Sequence, residues 1–253
     1  MCGRYGVQVS GEGLVQLAQA LLAAEVRQAD DLSGPWGEVR PTDLAPVLLR
    51  RAGGGLAVEA LRWGVRILVP RGAEGEVLRE TLVINARAET ARGKRSFRHG
   101  ARVLIPATGW TEWPAADWQT SAGQGAAGQP AALGAPDGRV LWFAGLSLDE
   151  GGASPAPGSG PSRSVRAGQT AGQATSASRS DLTGGPRFVI VTRPPVDAIA
   201  SVHDRMPAVV DGEAARSWLA GEMSPEALVT LSVHPAPAAA PVGPARPRQL
   251  SLL

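Results

Sequence analysis

The chain has 253 residues, 43% of them apolar, with 25 basic against 23 acidic side chains for a net charge of +2. It therefore reads as a soluble globular protein, one large domain or two small ones, with enough apolar mass for a sizeable core. The nearly balanced charge excludes an overwhelming field toward nucleic acid and leaves room only for a local basic groove.

No segment joins a basic start to the apolar stretch of a secretory leader, and no apolar run approaches the roughly 18 residues of a membrane span. A cytoplasmic protein with no membrane partner is the expectation. Cys2 is the only cysteine, which excludes an internal disulfide and a cysteine-rich zinc site, and no metal or cofactor is called for.

From residue 13 to 26, GLVQLAQALLAAEV spaces Leu14, Leu17, Leu21, Leu22 and Val26 as an amphipathic helix does. Strands are expected in LAPVLLR (44–50), LAVEALRWGV (56–65), TLVINARAE (81–89), RVLIPATGW (102–110), VLWFAGLSL (140–148) and RFVIVTR (187–193). Helices follow at 213–219 and, with Ser224 as N-cap and Pro225 in the first turn, at 225–231. The pattern is α+β with mostly non-parallel strands, because few strands are separated by the long helices that parallel crossovers need. Residues 151–185 are mostly Gly, Ser, Ala, Pro, Thr and Gln with scattered arginines and almost no large apolar residue. They cannot bury enough surface to offset their ordering entropy, so a disordered insertion is expected there. A similar loop runs from 115 to 138, and a Pro/Ala-rich tail occupies 235–253.

Cys2 is followed by Gly3, so removal of Met1 is expected to leave a 1,2-aminothiol at the N-terminus. Its amine and thiol have ordinary pKa values of about 8 and about 8.5, so both carry some nucleophilic form near neutrality. Either the thiolate attacks an acyl carbon with the amine as base, or the amine condenses with an aldehyde and the thiol closes a thiazolidine ring. The first reading resembles glutamine amidotransferases that use an Asn-Gly pair in the oxyanion hole. The only asparagine here is Asn85, and Ala86 follows it.

Asn85 lies inside a strand-like run that disfavours asparagine, which marks it as a site candidate. Glu112 lies between Trp110 and Trp113, where desolvation would raise its pKa and fit it for general acid or base work. Of the three histidines, His99 sits in a basic loop and His234 begins the tail, whereas His203 adjoins Asp204 and Arg205 ahead of Pro207. His203 is the stronger candidate for proton transfer.

In order, MCGRY, RPT (40–42), RWG (62–64), INARAET (84–90), RVLIPATGWTEW (102–113), FAGL (143–146), FVIVT (188–192) and VHDRMP (202–207) resemble the SOS response-associated peptidase, or SRAP, family. The resemblance implies one SRAP-type domain over 2–234, interrupted by the insertion, with a β-rich, barrel-like core of mostly antiparallel strands and flanking helices. It implies recognition of abasic sites in single-stranded DNA, and their covalent capture as a thiazolidine crosslink in the DNA damage response, with lyase or (auto)peptidase activity alongside. Cys2 would form the crosslink, Asn85 would hold the amine, Glu112 would open the sugar ring, and His203 would assist proton transfer. Arg4, Arg87 and Arg205 would contact phosphates, with Pro41, Trp63 and Thr192 lining the DNA groove. Two other readings stay open: an N-terminal-cysteine peptidase or amidohydrolase, and a non-catalytic single-stranded DNA-binding module.

Overall fold

Short runs of β-branched and large apolar residues, each ended by a turn signal, make the chain fold chiefly as strands. The computed structural model describes residues 2–29, 32, 36–71, 77–113, 130–148, 185–233 and 236–237. The first half contains β1 (Tyr5–Val7), α1 (Gly11–Leu22), β2 (Val26–Gln28), β3 (Gly37–Val39), β4 (Leu44–Arg50), β5 (Leu56–Trp63), β6 (Val65–Arg71), β7 (Val77–Val83) and β8 (Asn85–Arg87). Then come β9 (Ala101–Ala107), β10 (Gly109–Glu112), β11 (Ala131–Gly134), β12 (Leu141–Leu148) and β13 (Arg187–Arg193). The last part comprises α2 (Asp197–Ala200), β14 (Met206–Pro207), β15 (Val209–Val210), α3 (Gly212–Ala220), a 3-10 turn at Glu226–Thr230 and β16 (Ala236–Pro237).

The larger sheet closes on itself. β13, β12, β9, β4 and β5 pair in that order, and β13 returns to β5 through the parallel pairs Arg187–Arg62 and Phe188–Trp63. Most pairings are antiparallel; the parallel ones are β2–β5, β8–β13 and β13–β5. The smaller sheet runs β16-β11-β10-β1-β3, and β6 with β7 forms a separate two-stranded ribbon. The architecture is the expected α+β one, with a β-rich core and flanking helices.

Alternation along the ring strands divides their side chains between two cores. Val47, Trp63, Ile105, Phe143 and Phe188 join Tyr5, Trp110 and Leu133 of the smaller sheet. Leu48, Val58, Leu104 and Val189 instead meet Ala18 and Leu22 of α1 and Trp218 of α3. Within β12, Gly145 is required because a Cβ there would collide with Ile105 and Val103.

Several boundaries differ from the sequence expectation, each for a local reason. α1 begins two residues before the expected start, where the Ser10 side chain accepts from the Gly13 N–H at 3.2 Å. It stops at Ala23, in the left-handed region with φ 50°, and Val26 pairs with Leu56 as a strand. The expected strand 102–110 is two strands in two sheets, because Thr108 leaves the ring and donates its N–H to the Gly6 carbonyl. The run 81–89 likewise breaks at Ile84, and the helix expected at 225–231 is only a 3-10 turn. Residues 131–134 of the expected loop form β11. The expected insertion lies outside the described residues apart from Gly185, as does the tail apart from β16.

Trp63 is fully buried, packed edge-on to Tyr5 at 5.2 Å and stacked on Phe188 at 6.4 Å, with Nε1 donating to the Ile84 carbonyl. Trp63→Ala is expected to lower unfolding free energy by roughly 3–5 kcal/mol in urea titrations, as truncation of a buried aromatic does. A loss of about 0.5 kcal/mol or less would instead mark it as a surface residue.

Candidate functional site

The segment before β1 is drawn into the smaller sheet by the Tyr5–Trp110 pair and by the Thr111 N–H donating to the Arg4 carbonyl. That registry lays Cys2 near the end of β10, where Glu112 stands. Cys2 is completely buried, and its Sγ donates weakly to the Arg4 carbonyl at 3.8 Å. Burial pushes the thiol pKa well up, and the nearby Glu112 charge pushes it further. The thiol is therefore neutral at physiological pH, against the partial thiolate expected for an ordinary aminothiol.

Asn85 opens β8, whose parallel pairing with β13 at Ile190 aims it at the N-terminal segment. Its Nδ2 donates to the Cys2 carbonyl at 2.9 Å. With the amide nitrogen so assigned, the buried Oδ1 is an acceptor without a hydrogen-bond partner among the described residues.

Glu112 is only 1% exposed. Burial raises its pKa from 4.5 to about 7; the N-terminal positive charge pulls it down and Asp204 adds to the rise. Its flanking tryptophans suggested such desolvation, but they contribute unequally. Trp110 packs in the core against Phe143, whereas Trp113 is exposed and lies under the Arg4 guanidinium at 4.9 Å. His203 Nε2 lies 3.9 Å from Glu112 Oε2, and burial together with the N-terminal charge lowers its pKa. Cys2, Asn85, Glu112 and His203, spread over two hundred positions of sequence, thus converge on one half-enclosed place. A carboxyl that titrates near neutrality beside a neutral imidazole and a shielded thiol can move protons in both directions. Among the described residues no cluster of His, Cys, Asp and Glu could hold a metal ion.

A family model described as SOS response associated peptidase (SRAP) matches residues 1–244. The chain belongs to the SRAP family. It is 26% identical over 228 residues to the abasic site processing protein YedK of Escherichia coli K12, covering 88% of this chain and 82% of that protein. It is 28% identical over 195 residues to the abasic site processing protein YoqW of Bacillus subtilis, covering 73% and 69%. Among solved structures, a Bacteroides thetaiotaomicron protein superposes with a TM-score of 0.58 at 18% identity, covering 90% of this chain and 86% of that one. A phage-related protein of Bordetella bronchiseptica does so with a TM-score of 0.53 at 24% identity, covering 90% and 86%. These two show that the fold is shared.

The residues expected to form the SRAP groove divide in two. Arg87 is exposed and, two positions from Asn85 on β8, projects on the same side of that strand. Arg4 is partly exposed, 3.6 Å from Glu38. Pro41 is half-buried on a tight turn in which the Asp43 N–H donates to the Arg40 carbonyl. In that turn Thr42 holds φ 79°, a conformation usually left to glycine, which persists because its N–H donates to the Trp63 carbonyl at 2.8 Å. These three can meet a ligand at the surface.

The other three are buried. Trp63 is packed in the core. Thr192 is fully buried, with Oγ1 directed at the Ala86 carbonyl. Arg205 is 8% exposed and its guanidinium is engaged by Glu89 and Thr192. Sequence reasoning missed Glu89, and no local pattern could have marked it, because its partner lies 116 residues away.

Glu112 also makes stability depend on pH. Below about pH 4.5 the carboxyl is protonated in both states; between 4.5 and about 7 the unfolded chain releases its proton while the folded one keeps it, so stability falls as pH rises, and above 7 the deficit is constant. Glu112→Gln removes that deficit. Its stability advantage in urea titrations is expected to be near zero at pH 4 and to reach roughly 3 kcal/mol by pH 8.

Proposed function

We propose that this protein captures abasic sites in single-stranded DNA as a covalent adduct through Cys2. The observation that carries the reading is the clamp of Asn85 on the Cys2 carbonyl beside Glu112 and His203. The names of the relatives YedK and YoqW, abasic site processing proteins, point the same way.

Removal of Met1 would place the α-amine on Cys2, next to the unpaired Asn85 Oδ1, which suits an N–H donor. An abasic deoxyribose is mostly a closed hemiacetal. Glu112, titrating near 7, would remove the proton from its C1′ hydroxyl so that the ring C–O bond breaks and the aldehyde appears, the proton passing to the ring oxygen. The amine would add to C1′ and expel water, leaving a Schiff base. The sulfur would then bond to the same carbon while the thiol proton passes, by way of Glu112, to the imine nitrogen. The product is a thiazolidine, with one water lost in total. His203 would relay protons between Glu112 and the sugar. Arg4, Arg87 and Pro41 would hold the flanking strand, and binding would weaken with salt as phosphate contacts do.

Peptide or amide hydrolysis by Cys2 is the weaker reading. It needs a thiolate, and burial beside Glu112 drives the thiol the other way. Aldehyde capture needs only a neutral amine first and a thiol whose proton can be taken as it adds.

On a denaturing gel, the purified chain incubated with an abasic single-stranded oligonucleotide is expected to give a shifted band, absent with intact DNA and absent for Cys2→Ala. Binding without that band would identify a non-catalytic module, and peptide or glutamine turnover a hydrolase. A tag retained ahead of Cys2 is expected to abolish the band while leaving reversible binding nearly intact; full crosslinking by tagged protein would rule out the aminothiol mechanism.

A further inference from the structure

The hydrogen bonds of Glu89 lead from the turn after β8 to His203. Arg205 stretches its guanidinium across the end of β13. Its Nη1 donates to Glu89 Oε1, and its Nη2 donates to Glu89 Oε2 at 2.9 Å, to the Thr192 carbonyl at 2.7 Å and to Thr192 Oγ1 at 3.3 Å. The same Thr192 carbonyl accepts the Ala88 N–H at 2.8 Å. One buried side chain thereby ties together the turn after β8, β13 and the loop 203–205. A two-pronged guanidinium–carboxylate pair fixes direction as well as distance. Arg205 holds the Glu89 carboxyl below its ordinary pKa, so the pair stays charged.

The backbone of Arg205 faces the candidate site. Its N–H donates to His203 Nδ1 at 2.9 Å. That donation needs the Nδ1 lone pair, so the neutral ring carries its proton on Nε2, the nitrogen that faces Glu112. Asp204 competes, with Oδ1 at 2.8 Å from Nδ1, an arrangement that favours a proton there. Asp204 is 82% exposed and screened by water, whereas the Arg205 backbone cannot leave while its guanidinium is locked. The charged groups acting on the imidazole are Asp204 and Arg205 from its own loop, Glu112 from β10 and the N-terminal amine.

We propose that Glu89 is a positioning residue for His203: by locking Arg205 it holds the backbone N–H that assigns the imidazole proton to Nε2, toward Glu112. The consequence for crosslinking rests on the proposed function, but the tautomer does not, because it exists without DNA. Glu89 acts through His203 and need not touch the sugar or the phosphates.

Long-range nitrogen–proton spectra near pH 7.5 test this, with His203→Gln identifying the His203 signals among the three histidines. The wild type is expected to show a protonated Nε2 and a bare Nδ1. Glu89→Ala and Arg205→Lys are expected to show mixed tautomers; where Glu89→Ala fails to fold, Glu89→Gln keeps the shape while losing the charge. Crosslinking of abasic single-stranded DNA is expected to slow on the order of 10-fold or more in these variants, as with other outer partners of functional histidines. An unchanged tautomer in the folded variants, or a wild type protonated on Nδ1, overturns the proposal. So does weakened DNA binding with the tautomer intact, which would return Arg205 to the DNA groove. If the tautomer shifts but the wild type forms no crosslink, the positioning role stands and the functional reading falls.

Discussion

The hydrogen bond from Asn85 to the Cys2 carbonyl is the constraint on which the site depends. A terminal segment ordinarily frays unless it is tied down. Here the segment is held from two directions, by β10 through main-chain hydrogen bonds and by Asn85 through its amide. Because β8 pairs with β13 and β10 belongs to the other sheet, the clamp joins the closed ring to the smaller sheet across their shared core.

Burial then sets the acid–base character of everything the clamp holds. The same desolvation that raises Glu112 to about 7 raises the thiol and lowers His203. Each shift favours a neutral form, so the three side chains carry little charge at rest. That environment suits the addition of neutral nucleophiles to a carbonyl and the loss of water. It does not suit a standing thiolate. The raised Glu112 carboxyl and the lowered His203 imidazole therefore share one physical cause, the low polarity of their surroundings.

The arginines show how little composition says about use. As a residue type they are in excess throughout the chain, and Arg187, Arg193 and Arg205 are largely internal. Arg193 donates to the Pro194 and Leu231 carbonyls, Arg187 to the Gly64 carbonyl, and Arg205 to Glu89 and Thr192. A guanidinium carries five donors and can satisfy buried carbonyls from several loops at once. Arg87, by contrast, is exposed.

Much of this protein was legible in its sequence. Short β-rich runs announced β4, β12 and β13, and leucines at helical spacing announced α1 to within a few residues. The four polar candidates stood out because each was anomalous where it lay: a thiol at position 2, an asparagine in a strand, a carboxyl between tryptophans, and a histidine before a proline. Local pattern could not reveal that 102–110 crosses between sheets, since Thr108 turns to meet Gly6, a partner about a hundred residues earlier. Nor could it separate Arg87 from Arg205 or Trp63 from a surface tryptophan, because residue type is the same whether a side chain faces solvent or core. What the sequence determined by itself was which chemical groups are present and which local elements carry them. Only the tertiary structure decided which groups meet and what water they keep, because burial and long-range hydrogen bonds arise from sheets closing between residues far apart along the chain.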